Sequence, residues 1–130
     1  MRSIPLLALL ALSGCATERA LSPGAAGESP RPAFVAEGLA SWYGPEVRSG
    51  SPTASGERYR ASDYTAAHRT LRFGTRLIVE NLRNHRRTVV RVNDRGPYTR
   101  GRILDVSAAA ARALDMIEAG VVPVRIIVIP

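Results

Sequence analysis

The sequence predicts a small, mainly β barrel with a helical crossover. Three observations carry that reading: several short β-branched runs, one alanine-rich segment preceded by a serine suited to cap it, and two polar loops rich in Gly and Pro. At 130 residues, 45% hydrophobic and 22% charged, the chain has the size and composition of one globular domain, which excludes fibrous and wholly disordered classes. No internal repeat is present.

The segment before the barrel has its own logic. Arg2 supplies a positive start, and residues 4–12 form an apolar run of nine. That run is far short of the roughly 20 residues needed to span a bilayer, so residues 1–14 read as a signal peptide. Leu12, Ser13, Gly14 and Cys15 resemble the bacterial lipobox, in which the cysteine is acylated and becomes the new N-terminus after cleavage. A stray or buried thiol is the alternative reading for Cys15, the sole cysteine, and no intrachain disulfide is available to the fold. Ala16, where an aspartate would retain a lipoprotein at the inner membrane, favours the outer membrane, facing the periplasm. The stretch after it, ATERALSPGAAGESPRPAFVA, has neither helical nor strand period. Residues 15–36 therefore read as a lipidated cysteine and flexible linker.

Residues 37–130, just over ninety, suffice for one small domain and leave no room for a second. Residues 38–43 read as the first strand. Residues 44–63 form a long polar loop with Gly44, Pro45, Gly50, Pro52 and Gly56, and a loop of that length in a small domain suggests function. Residues 65–70 are read as one helical turn. The β-branched runs 76–81 (RLIVEN) and 87–93 (RTVVRVN) form a hairpin, with Asn84 available for a left-handed turn position. A second polar loop, 94–101, carries Gly96 and Pro97, and residues 103–106 form a short strand. Ser107 caps a helix over 108–115, and residues 121–129 (VVPVRIIVI) form a last strand expected to be buried on both sides.

All 18 basic residues are arginine, against 11 acids, for a net charge of +7. The arginines are scattered along the chain and aromatics make up 5%, so a solvated basic surface is preferred to nucleic-acid binding. Two histidines and one cysteine give no metal-ligand set, and no cofactor motif is present. Three titratable residues fall in or beside the polar loops: Glu57, His68 and Asp94. Asp94 ends a buried-type strand, where a partly desolvated carboxyl group can act as an acid; equally, it can close an Asx-turn on the Gly96 backbone. Arg95 would oppose the acid role by pairing with Asp94. Taken alone, Glu57 reads as a solvated loop residue and His68 as a structural side chain bonding a backbone carbonyl.

Five ordered strings then change these odds: GLASWYG from Gly38, TASGE from Thr53, TAAHRTL from Thr65, VRVNDRGPY from Val90 and GRILDVS from Gly101. Together they closely resemble the RlpA (rare lipoprotein A) family across residues 38–130, and the lipobox and linker fit the same family. The resemblance implies a six-stranded double-psi β-barrel with short helices, related to the barrels of expansins. It implies a periplasm-facing lipoprotein that acts on peptidoglycan as a lytic transglycosylase, with a preference for glycan strands lacking stem peptides. Many relatives carry a C-terminal SPOR domain; none is expected here. Ser55, the Arg72-Phe73-Gly74 string and Asn84-His85 depart from the family pattern at turns.

The family's functional glutamate, histidine and aspartate fall on Glu57, His68 and Asp94. On that basis Asp94 is the acid that later acts as base, Glu57 stabilises positive charge from across the groove, and His68 orients a carboxylate or bonds a sugar hydroxyl. Trp42, Tyr43 and Arg95 are candidate substrate contacts, with Trp42 equally readable as core. Asp105 is the runner-up acid, its alternative being a cap on the helix after Ser107. The expected partners are peptidoglycan glycan strands and, through Cys15, a membrane; nucleic acid is not expected, and the protein is expected to be a monomer. The rival from another class is a non-catalytic, expansin-like glycan-binding or wall-loosening protein.

Overall fold

Six strands and a short helix make up the regular structure of the computed structural model, which describes residues 34–130. The expected signal peptide, Cys15 and the linker up to residue 33 lie outside the described residues. The strands are β1 (Val35–Trp42), β2 (Thr65–Ala67), β3 (Arg76–Asn81), β4 (Arg87–Asp94), β5 (Arg102–Val106) and β6 (Val121–Ile129), with α1 (Ala108–Ala113) between the last two. β1 thus takes in Val35 and Ala36, which the sequence had placed in the linker.

Around the barrel the order is β1-β5-β2-β4-β3-β6, closing back onto β1. The pairs β1·β5 and β2·β4 are parallel and the other four antiparallel. Closure leaves none of the six described strands with a free edge. Alternate residues of each strand point inward, and Leu77, Val79, Val90, Val92, Leu104 and Ile126 are fully buried there.

Four sequence expectations are corrected. Residues 65–67 are not a helical turn but a strand, because β2 is held on both sides, parallel to β4 and antiparallel to β5. β6 buries one face only: Val122, Val124 and Ile126 point inward while its other face is half-exposed, since the outside of the barrel meets solvent. In the β3–β4 turn the left-handed residue is His85 (φ 65°), while Asn84 uses its side chain instead, accepting from Arg86 N–H and donating to the Leu114 carbonyl. Asp105 does not cap α1. Ser107 does, its Oγ accepting from Ala110 N–H and donating to the Asp63 carbonyl.

Two irregularities in the ladders shape the surface. On β5 the register skips Ile103 opposite β1, and a Cβ on Gly38 would meet Ile103 Cγ2 at 2.7 Å, so this close approach requires glycine. On β4 the register skips Asn93, passing from Ala66↔Val92 to Ala67↔Asp94. Such a bulge sets two consecutive residues against one, which turns Asp94 away from the inward row of Val90 and Val92.

Candidate active site at the end of β4

The bulge and the 53–57 loop build the site together. Thr53 N–H and Oγ1 both bond the Glu57 carbonyl, and Gly56, at φ 92°, donates its N–H to the Thr53 carbonyl. This closed turn lies on β4: Ser55 N–H donates to the Asn93 carbonyl and Ala54 N–H to Asp94 Oδ1, at 2.9 Å. Glu57, bonded by Asn93, and Asp94, bonded by Ala54, are thereby both tied to the junction of the loop with the end of β4.

Three donors converge on Asp94. Oδ1 accepts from the backbone N–H groups of Ala54 and Arg95, and Oδ2 from the Tyr43 hydroxyl at 2.9 Å. The turn contact is with Arg95 N–H, not with Gly96. Burial, then the hydrogen bond to Asp94, push the Tyr43 phenol well above its ordinary range, so it stays a donor at any physiological pH. Its ring stands edge-on to Tyr59, centroids 4.7 Å apart, and the Tyr59 hydroxyl in turn accepts from Ala108 N–H at the start of α1.

Glu57 is exposed yet firmly held. Arg91 reaches both its oxygens, at 2.7 and 3.2 Å, and Asn93 Nδ2 donates to Oε1 at 2.9 Å. The Arg91 guanidinium first, and the Asn93 amide second, hold its carboxyl below the usual carboxylate range. Asn93 is buried, and its Oδ1 has no partner among the described residues.

His68 is buried beside the site, its backbone N–H donating to the Asp94 backbone carbonyl. Its Nδ1 accepts from the N–H groups of Thr70 and Leu71, so the ring bonds backbone donors rather than a carbonyl, and neither carboxylate is oriented by it. The neutral ring therefore carries its proton on Nε2, which has no partner among the described residues. Burial, with the nearby Arg95 and Arg69 charges, lowers its pKa. A pocket of about 270 Å³ is lined by His68, Arg69, Thr70, Phe34, Ala36 and Ile103.

The other candidates divide. Arg95 does not pair with Asp94: its guanidinium donates to the carbonyls of His68 and Leu71 and lies 4.0 Å from the Phe73 ring centre, bracing the 68–73 turn. Trp42 is half-buried, packs against the core and donates Nε1–H to the Ile117 carbonyl. Asp105 lies in one cross-strand row with Asp94, through Ala67, and its Oδ1 accepts from the Ser41 hydroxyl, itself bonded by Arg102. The supporting residues Arg91, Asn93 and Ser41 were not anticipated. The signal for the first two was there, since alternation places Arg91 and Asn93 on one face of β4. Among the described residues, no three His, Cys, Asp or Glu side chains cluster as a metal site would require.

A closed six-stranded barrel with this mixed parallel order, its polar groups gathered at one strand end, is a double-psi β-barrel. The chain belongs to the lytic transglycolase family of such barrels, the RlpA family, whose pattern matches residues 35–126. It is 58% identical over 91 residues to a probable endolytic peptidoglycan transglycosylase RlpA of Nostoc, and 52% identical over 95 residues to the endolytic peptidoglycan transglycosylase RlpA of Campylobacter jejuni. Those alignments take in 69% and 73% of this chain but 24% and 34% of the relatives, so the chain spans about a quarter to a third of their length. Among solved structures, the Clavibacter michiganensis expansin superposes with a TM-score of 0.59 at 23% identity, over 75% of this chain and 51% of that one. The Streptomyces papain inhibitor does so at 0.61 and 22%, over 76% of this chain and 97% of that one. These two likenesses concern the fold alone, which serves unrelated functions.

Proposed function

We propose that the protein is a peptidoglycan lytic transglycosylase that cleaves the bond between N-acetylmuramic acid and N-acetylglucosamine, forms a 1,6-anhydro end, and favours strands without stem peptides. The observation that supports this best is the pairing of Asp94 and Glu57 by the bulge and the 53–57 loop, in a chain whose relatives are named as such enzymes. We further propose that Cys15 anchors it by acyl chains to a membrane facing the periplasm, preferably the outer one, and that it acts as a monomer.

The chemistry needs a proton delivered to the glycosidic oxygen and a proton taken from the muramyl C6 hydroxyl, whose oxygen attacks its own C1. Asp94 serves both steps. Both acceptor sites of Oδ1 are filled by backbone N–H groups, whereas Oδ2, among the described residues, receives only the Tyr43 hydroxyl and keeps a lone pair for the proton in transit. Glu57, held ionised by Arg91, stabilises the positive charge that develops at C1. His68 offers Nε2–H to a sugar oxygen.

Asp94→Asn keeps the outline of the side chain but cannot deliver a proton, so release of anhydro products from peptide-free glycan should fall about 10²- to 10⁴-fold in a folded, glycan-binding protein. Asp105→Asn is the control; loss of turnover there, with turnover retained in Asp94→Asn, would reverse the assignment. A wild-type protein that binds such glycan but releases nothing would make the chain an expansin-like binding protein instead.

A further inference from the structure

Tyr98 is 74% exposed, the most exposed of the large apolar side chains among the described residues. It does not sit on a loose loop. Arg69 Nε donates to the Pro97 carbonyl, and Arg69 Nη2 to the carbonyls of Thr99 and Arg102, so one guanidinium holds the backbone on both sides of Tyr98. The rest of the 95–101 connection is equally fixed: Arg95 N–H bonds Asp94 Oδ1, Arg102 N–H bonds the Thr99 carbonyl, and Leu39 N–H bonds the Gly101 carbonyl. Gly96, at φ 115°, turns the chain so that its own Cα side lies against the Tyr98 ring, where a Cβ would sit 3.7 Å from Cε2. A loop whose backbone is pinned at so many points, yet leaves its one large aromatic in water, presents that ring rather than buries it.

We infer that Tyr98 is a stacking platform for a pyranose ring of the glycan, a subsite adjoining Asp94. The ring has the right chemistry: a flat apolar face for the C–H face of a sugar and a hydroxyl at its edge for a sugar oxygen. Its position fits as well. Three residues separate it from Asp94, and even a fully extended chain covers about 14 Å over those four steps, so a sugar stacked on Tyr98 and the bond at Asp94 belong to one short stretch of glycan. Pre-fixed backbone means little ordering is required when the sugar binds, which is what an aromatic anchor needs to contribute affinity.

This inference rests on the proposed glycan substrate, and the experiment separates the two. Peptide-free glycan strands are titrated against the full chain and its Tyr98→Ala, Tyr98→Ser and Tyr98→Trp variants, each also carrying Asp94→Asn so that binding is read without cleavage. Because Tyr98 packs against little, all should fold, which circular dichroism checks. Tyr98→Ala and Tyr98→Ser should weaken binding about tenfold or more, and Tyr98→Trp should retain it. Unchanged affinity in Tyr98→Ala overturns the platform while leaving the transglycosylase reading intact. Tyr98-dependent binding by a wild-type chain that releases no anhydro product supports the platform and removes the enzyme. A chain that binds no peptide-free glycan removes both.

Discussion

His68 shows how a single proton is placed by backbone geometry. Two N–H groups, from Thr70 and Leu71, point at Nδ1, so protonating the ring means putting a third N–H against them, inside a buried site already flanked by two arginines. The folded ring therefore resists a proton that the unfolded chain accepts near its ordinary pKa of 6.5. The resulting stability is fully present above that pH and is lost as pH falls below it through the folded value. Glu57, whose folded pKa is also lowered, contributes stability that fades only below about its ordinary value of 4.5, outside the range from pH 7.5 to 5. Melting temperatures measured from pH 7.5 to 5 should decline in wild type and decline less in His68→Asn, whose amide oxygen keeps an acceptor for Thr70 and Leu71 but does not titrate. Parallel curves would sink the explanation. At this scale the sequence motifs single out Glu57, His68 and Asp94 as candidates, and the structure ties all three to the end of β4. It carried their partners poorly, because Tyr43 and Ala54 reach Asp94 from 51 and 40 residues away, and no local pattern encodes that.

Among elements, legibility follows the length of the run. β3 and β4 are long β-branched stretches and were readable as a hairpin, whereas β2, three residues with two alanines, is a strand only because β4 and β5 hold it. The outer face of the sheet adds a row that no element shows alone: Glu37↔Arg125↔Glu80↔Arg87 run across β1, β6, β3 and β4 with alternating charge, and Glu80 is nearly buried within it. Slipping any of these strands by one residue would send those charges inward, so the row helps set register. The β1–β5 contact gives the sharper test. Gly38→Ala places a methyl 2.7 Å from Ile103 Cγ2 and should destabilise the domain by about 1–3 kcal/mol. Ile103→Leu removes the β-branch at similar volume, so in the Gly38→Ala background it should recover part of that loss. Denaturant melts of the four proteins in the cycle would show favourable coupling; simple additivity would mean the two positions do not press on each other.

For the whole molecule, the barrel class was visible in short strands and punctuating loops, but its strand order was not, because β1-β5-β2-β4-β3-β6 depends on pairings between distant segments. Closure makes the last strand a keystone. β6 pairs along its length with both β1 and β3, and its Val122, Val124 and Ile126 are buried against the rest of the interior. Removing it would open two edges and withdraw three buried aliphatic side chains at about 1.5–3 kcal/mol each. That loss is comparable to the whole stability of a typical domain, about 5–15 kcal/mol. Residues 34–130 expressed alone should therefore give a β-rich domain with one cooperative melt, unchanged by a chelator, since no three His, Cys, Asp or Glu side chains cluster among the described residues. Residues 34–120 should show neither a cooperative melt nor protected β-strand amides. A cooperative melt in the shorter chain would mean that β1 and β3 can close the barrel without β6, and that the interior tolerates its absence. A chelator-sensitive melt in the longer one would mean that something other than the aliphatic interior and the closed ladder holds the strands together.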